Sequence, residues 1–263
     1  MNYIGSKKHL LDFIETTITK KVGTLQDKVF CDLFAGTGIV GEHFKTKVHK
    51  VIANDIEPYA YTIIYNKIKN SCSYDLTKIK YEPKEGFIYK NYADERSYFS
   101  KENAKKIDGL REAIEKSFTC KKLSEEEYQF CLASLLYSAD RVANTTGVYG
   151  SFLKKLKFMA KTDMKFLPHE FTPSTKEHEV YNQDANELIK NIQGDILYLD
   201  PPYNHRQYGL NYHILNAIVK NKVFEPRGKS GFDDYIRSDF AKRQSLLRHL
   251  SHSYQMQNLN IYF

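Results

Sequence analysis

Asp195-Ile196-Leu197-Tyr198-Leu199-Asp200-Pro201-Pro202-Tyr203 decides how this chain folds. Ile196 to Leu199 reads as a short buried strand, apolar and rich in strand formers, with Gly194 before it and two prolines after it. Paired prolines cannot continue a sheet ladder, so the chain turns out at the strand's C-terminal edge. In an open α/β sheet, that edge is where ligands bind. The turn delivers the Asp200 carboxylate, the Pro201 carbonyl and the Tyr203 ring within four residues. Two acceptors and an aromatic face suit an exocyclic amine on a planar base. A strand-end turn with a packed tyrosine would read the same in isolation, so the neighbouring segments decide.

Upstream, Val180 to Asp184 looks like another short strand ending in a carboxylate, followed by a helix over Ala185 to Ile192. Downstream, the chain passes through Asn204 to His213 into a helix carrying Ile214, Leu215 and Ile218. Nearer the start, Val29 to Phe34 reads as a strand and runs directly into Ala35-Gly36-Thr37-Gly38-Ile39-Val40-Gly41 and a helix. Val51 to Asp55 follows as a second strand with an acidic end. Strand, glycine turn, helix and acidic strand end form the nucleotide half of a doubly wound fold, the acid placed for ribose hydroxyls. Gly36, Gly38 and Gly41 also satisfy G-x-G-x-x-G, a weak signal of a dinucleotide site by itself.

Between these halves the pattern changes. Glu125 to Tyr137 has a helical apolar face, then Arg141 to Gly150 forms a polar loop punctuated by glycine. Lys154, Lys155, Lys157, Lys161 and Lys165 follow, against the single Asp163. A lysine run is ordinarily a solvated face. Beside Arg141, Asn144 and Tyr149 it supplies the mixture that phosphate contact and base readout require. At the N-terminus, Asn2-Tyr3-Ile4-Gly5-Ser6-Lys7 leads a helix with Leu10, Leu11, Ile14 and Ile18 on one face. Ser6 is the expected cap, and an anion is favoured near Lys7.

The chain's 263 residues suffice for one large domain with an insertion. A net charge of +7 favours a polyanionic partner. Four cysteines without C-x-x-C spacing argue against a zinc site or a disulfide framework. With no long apolar run and a polar N-terminus, the expected compartment is the cytoplasm, with no membrane and no metal.

As an ordered set, these segments resemble the Dam-like, α-type adenine-N6 DNA methyltransferases over roughly residues 1 to 215. Tyr3 to Lys7 resembles that family's N-terminal cofactor motif. Asp32-Leu33-Phe34-Ala35-Gly36-Thr37-Gly38 is similar to its S-adenosylmethionine loop, and Asn54-Asp55-Ile56 to the acidic motif on the ribose. Asp184 matches the carboxylate near the cofactor's adenine. The resemblance implies a Rossmann-like α/β sheet. It divides the chain into a cofactor half (1–83), a mostly helical DNA-recognition insertion (84–179) and a catalytic half (180–263). It further implies that Asp200 and the Pro201 carbonyl accept the two N6 hydrogens of a flipped-out adenine, with Pro202 shaping the turn and Tyr203 stacking on the base. Arg206 joins Arg141, Asn144, Tyr149, Lys154 and Lys155 on double-stranded DNA. The implied setting is a restriction–modification system with its endonuclease encoded elsewhere.

Two alternatives stay open. A ribosomal RNA guanine methyltransferase shares D-P-P-Y and a glutamine methyltransferase has the related N-P-P-Y, but both usually lack an insertion of about 100 residues, large enough to be a domain. The second concerns the tail. Phe240 to Phe263 has scarcely four consecutive apolar residues, where the family still needs at least one more strand and a hairpin. The expectation is therefore an incomplete sheet, irregular after about residue 240, from a frameshift near Arg243 to Leu247. One shifted decoding of the codons for Leu246 to Phe263 gives an amphipathic helix and then a strand-like K-Y-I-F. A missing strand would leave an exposed edge and a poorly soluble, weakly active or inactive remnant that binds DNA or cofactor.

Overall fold

A computed structural model describes residues 5–201, 208–233 and 260–262. The chain forms two compact units. One comprises residues 5–71, 171–203 and 239–263, and the other residues 1–4, 72–170 and 204–238.

The first unit carries a parallel sheet of β1 (Val29–Asp32), β2 (Lys50–Asn54), β3 (Glu179–Tyr181), β4 (Ile196–Tyr198) and β5 (Asn260–Tyr262), in the order β3-β2-β1-β4-β5. Phe30 lies opposite Val51 and Ile196, and Asp32 opposite Ala53 and Tyr198. Because strand side chains alternate, Phe30, Val51, Ala53, Ile196 and Tyr198 join one apolar cluster while Cys31, Ile52 and Leu197 join another. Apolar residues on both faces are what a parallel sheet covered on each side requires. The first cluster is closed by Phe44, Ile64, Ile68 and Ile18, the last from the helix Leu11–Val22. The Phe30 and Phe44 rings stack with centroids 4.4 Å apart. Fully burying each such side chain is worth about 1.5–3 kcal/mol.

β1 sits between β2 and β4, so the winding reverses there. The chain moves outward through β2 and β3, then returns to the other side of β1 as β4. A crevice at the carboxyl ends of β1 and β4 is therefore the expected ligand position. Gly36 and Gly38, at φ of 56° and 71°, make the turn after β1. A Cβ on Gly38 would stand 3.0 Å from Cγ2 of Ile64, so backbone angle and packing both demand glycine.

Three expectations change. Ser6 caps no helix: a single tight turn, Lys8–Leu10, precedes Leu11–Val22, and neither has a side-chain cap. The helix expected over Ala185 to Ile192 is helical only across Ala185–Leu188. Beyond it, Lys190 and Asn191 donate three residues back, the tighter 3-10 pattern. The tail is the third. Asn260–Tyr262 runs parallel to β4, with Ile261 opposite Leu197, so β4 has the neighbour that the sequence pattern denies it. Three residues with one polar member fall below the length at which apolar patterning shows a strand. The expected irregularity between about residue 240 and this strand falls outside the described residues.

Among its described residues the second unit consists of helices, turns and one isolated antiparallel bridge, Arg227 to Phe232. Its two long helices are Lys101–Thr119 and Glu125–Arg141. Ser100 caps the first, and the second opens with a reciprocal capping box between Ser124 and Glu127. Buried Arg111 bridges from the first helix to the carbonyls of Ile218 (2.8 Å) and Val219 (3.0 Å), near the end of the helix His213–Lys220. That end gains both a positive charge and donors for its orphan carbonyls. No helix among the described residues is long and apolar enough to cross a membrane.

Candidate active site

Four neighbouring strands of the sheet deliver four carboxylates at their C-terminal ends: Asp184 beyond β3, Asp55 beyond β2, Asp32 at the end of β1 and Asp200 beyond β4. Each has a different environment. Asp55 is a structural clasp as well as a candidate ligand, since its carboxylate accepts the Gly36 N–H at 2.8 Å and the Glu57 N–H at 2.9 Å. The glycine turn is thereby tied to the second strand. Buried Asn54 adds to the clasp, donating to the carbonyls of Leu33 (3.2 Å) and Gln183 (3.1 Å) and accepting from the Gln183 N–H (3.0 Å). Asp184 caps its short helix, accepting from the Asn186 backbone N–H at 2.9 Å and side-chain amide at 2.8 Å.

Asp32 is 1% exposed, and among the described residues neither of its carboxylate oxygens has a hydrogen-bond partner. Burial pushes its carboxyl up to about 8; the negative Asp200 and Asp55 push the same way. The Phe34 N–H faces it outside hydrogen-bond geometry and, with Lys7, pulls in the opposite direction. An unpartnered buried carboxyl is costly, and a cation brought to it would recover that cost. Asp200, about a quarter exposed, forms an ion pair with Lys7. The Lys7 ammonium group also donates to the Gly5 carbonyl at 3.1 Å. Phe34 and Ile56 are half-buried, while Ala35, Gly36 and Gly38 are buried in the turn.

The first unit therefore gathers Lys7, Asp32, Phe34, Ala35, Gly36, Gly38, Asp55, Ile56, Asp184, Asp200 and Pro201 on the described part of its chain. Tyr3, Pro202, Tyr203 and Arg206 lie outside the described residues.

In the second unit the expected DNA contacts separate into two groups. Arg141, Lys154 and Lys155 are exposed. The Arg141 guanidinium lies 5.6 Å from the Tyr137 ring centre and donates to the Tyr137 hydroxyl at 3.2 Å, so it lies back along its own helix. Asn144 and Tyr149 are fully buried, which corrects the expectation that their side chains face DNA. Asn144 donates to the carbonyls of Ser97 and Leu153, each at 2.8 Å, and accepts from the Lys157 N–H at 2.9 Å. The Tyr149 hydroxyl donates to Asp140 at 3.0 Å. These two residues shape the loop from within. Lys157 also turns inward, donating to the Thr145 carbonyl at 2.7 Å.

The sequence pattern gives no sign of Phe158. It is 81% exposed on the short helix Phe158–Lys161, with Met159 beside it at 42% and Lys154, Lys155, Lys161 and Lys165 exposed nearby in the chain. Buried Asn103 holds the far end of this segment, donating to the carbonyls of Ala160 (3.3 Å) and Thr162 (2.9 Å). Apolar residues beside a lysine run carry no periodic signal, so only the fold reveals their exposure.

Residues 3–259 match the family of D12 class N6 adenine-specific DNA methyltransferases. The chain belongs to that family. Among its relatives, the type II methyltransferase M.NlaIII of Neisseria lactamica is 50% identical over 258 residues, an alignment covering 94% of this chain and 77% of that protein. The type II methyltransferase M.CviAII of Paramecium bursaria Chlorella virus 1 is 40% identical with the same two coverages. The modification methylase LlaI of Lactococcus lactis subsp. lactis is 38% identical, over 88% of this chain and 40% of that protein. No solved structure matches.

Proposed function

We propose that this D12 methyltransferase transfers the methyl group of S-adenosylmethionine to N6 of an adenine flipped out of duplex DNA, as the modification enzyme of a restriction–modification system. The observation that carries the reading is the unpartnered Asp32 carboxyl at the β1–β4 reversal, with Asp200 two residues beyond the end of β4. A methyl donor bearing a sulfonium and an ammonium group supplies the positive charge that this acidic edge calls for, and its reactive methyl is the group transferred.

The glycine turn, with Gly36 and Gly38, allows close approach of the donor to the main chain. Asp55 would accept ribose hydroxyls, Asp184 and Ile56 would lie near the donor's adenine, and Phe34 would help to hold the donor. Asp200 and the Pro201 carbonyl accept the two N6 hydrogens, which draws the nitrogen towards tetrahedral geometry and aims its lone pair at the methyl carbon. The N–C bond forms as the C–S bond breaks, with that electron pair leaving on sulfur. The amine proton becomes acidic once the nitrogen is methylated and passes through Asp200 to solvent, so Asp200 need not be a strong base beforehand. Orientation and electrostatics supply the rate.

An adenine N6 is inaccessible inside a duplex, and flipping it out costs a few kcal/mol. Exposed Arg141, Lys154 and Lys155, with Arg206, offset that cost by binding phosphates. The names of the relatives, type II methyltransferases and modification methylases, favour a partner endonuclease. DNA in the host cell as substrate favours the cytoplasm.

The test is transfer of label from methyl-labelled donor to duplex DNA, to single-stranded DNA and to RNA, followed by mapping of the modified base. N6-methyladenine at one short duplex sequence is expected. Label confined to RNA, or carried on another base atom, would overturn the reading.

A further inference from the structure

The family resemblance attaches Lys7 to the cofactor, but the structure joins it to Asp200. Lys7 directly precedes the turn Lys8–Leu10 and the helix Leu11–Val22, whose Leu11, Ile14 and Ile18 pack on the sheet's apolar cluster. The Leu10 N–H donates to the Lys7 carbonyl at 2.8 Å, and Gly5, at φ of 78°, turns its carbonyl onto the Lys7 ammonium group. Asp200 stands two residues past β4, a strand paired on both sides. The ion pair thus bridges two fixed elements, and both side chains are largely shielded, 19% and 26% exposed.

We propose that Lys7 is a positioning residue for Asp200, its ammonium group holding Oδ2 so that Oδ1 is left to accept the N6 hydrogen of the target adenine. The inference rests on the reading of Asp200 as the acceptor that faces the base. A carboxylate turns easily about its last side-chain bond, and an acceptor that must direct a lone pair cannot be left to turn. A charge-assisted hydrogen bond fixes it and occupies one oxygen. The positive charge of Lys7 also reaches Asp32, where it opposes the effect of the negative Asp200 and Asp55. Gln at this position could bond the carboxylate but could not neutralise it; Arg could do both.

The experiment measures single-turnover methyl transfer to duplex DNA at saturating donor, and donor affinity by calorimetry. The variants, each in the full chain, are Lys7→Gln, Lys7→Arg, Asp200→Asn and the double substitution Lys7→Gln/Asp200→Asn. The transfer rate of Lys7→Gln should fall roughly tenfold to a hundredfold, with donor affinity within threefold. Lys7→Arg should recover most of that rate, and adding Lys7→Gln to Asp200→Asn should cost little more. An unchanged rate, or a rate loss that multiplies fully with that of Asp200→Asn, would overturn the proposal. So would a weakened donor affinity with an unchanged saturated rate, which would return Lys7 to the cofactor. If Lys7→Gln does not fold, a folded Lys7→Arg with a rate reduced beyond tenfold overturns it equally. Full activity of Asp200→Asn alone would instead remove the reading of Asp200 on which the inference depends.

Discussion

Asp32 and Asp200 stand on adjacent parallel strands where the winding of the sheet reverses, Asp32 opposite Tyr198 in register and Asp200 two residues further on. One carboxyl is sealed from water without a hydrogen-bond partner among the described residues, while the other is about a quarter exposed and paired with Lys7. Desolvation holds the first as a neutral acid below about pH 8. The ion pair with Lys7 occupies one oxygen of the second.

The buried acid makes stability depend on pH in a defined direction. The folded-state value near 8 lies above the ordinary value near 3.9, so the folded form retains a proton that the unfolded form loses. The associated stability is fully present below about pH 4 and is lost as pH rises towards 8. Asp32→Asn removes this titration, so in the absence of donor it should stabilise the protein at neutral pH, by on the order of 2–4 kcal/mol. Urea unfolding of both proteins at pH 5 and pH 8 checks this; a gain that does not grow with pH contradicts it. Donor binding should weaken in the same variant.

Asp55→Ala removes the acceptor for two backbone N–H groups and the proposed acceptor for ribose hydroxyls. Donor affinity should fall, at about 1.5–3 kcal/mol for each charged hydrogen bond removed. Saturated turnover should suffer less. Unchanged affinity by calorimetry would detach the end of β2 from the donor site.

Lys154 and Lys155 point to solvent and Lys157 does not. Replacing the first two by Gln should weaken binding to all DNA sequences and flatten its salt dependence, by a slope of nearly 0.9 for each phosphate no longer neutralised. Lys157→Gln should lower the unfolding temperature and leave the salt slope nearly unchanged. An unaltered slope for the Lys154 and Lys155 variant would make those lysines an ordinary solvated surface.

His178 accepts the Val51 N–H at 3.1 Å through Nδ1 and contacts Ser174 through Nε2 at 3.0 Å. Burial first, then Lys45, Lys176 and Lys50, lower its value to about 4. The unfolded chain therefore takes up this proton first. His178 contributes stability above its ordinary value near 6.5, and that contribution is lost as pH falls towards 4. The loss should be on the order of 1 kcal/mol at pH 5 after allowance for screening. His178→Asn, which retains an acceptor for Val51, should flatten the acid side of the stability profile; an unaltered profile would show that His178 is not responsible.

The strand ends are legible because buried parallel strands are uniformly apolar and stop at a carboxylate. Val29–Asp32, Lys50–Asn54 and Ile196–Tyr198 lie where the pattern puts them, within two residues. Glu179–Tyr181 is legible on weaker grounds, since its central Val180 is the one buried side chain in it. β5 is not, because three residues give no period and its partner β4 is distant in sequence. Within the site, residue types identify the acids, but not which acid has a counter-charge. Neither the Lys7–Asp200 pair nor the lack of a hydrogen-bond partner for Asp32 among the described residues follows from spacing, because both depend on how an N-terminal helix meets the sheet. Asn144 looks like a base-reading amide for a related reason: a buried loop clamp and a base contact require the same side chain.

In the proposed mechanism Asp200 acts on the adenine amine and leaves the donor to the glycine turn and its neighbouring acids. The most direct test measures labelled methyl transfer to duplex DNA and, separately, donor affinity for Asp200→Ala in the full chain. Loss of transfer with donor affinity within a few-fold of the unsubstituted protein is the predicted result. Transfer at a comparable rate would contradict the account.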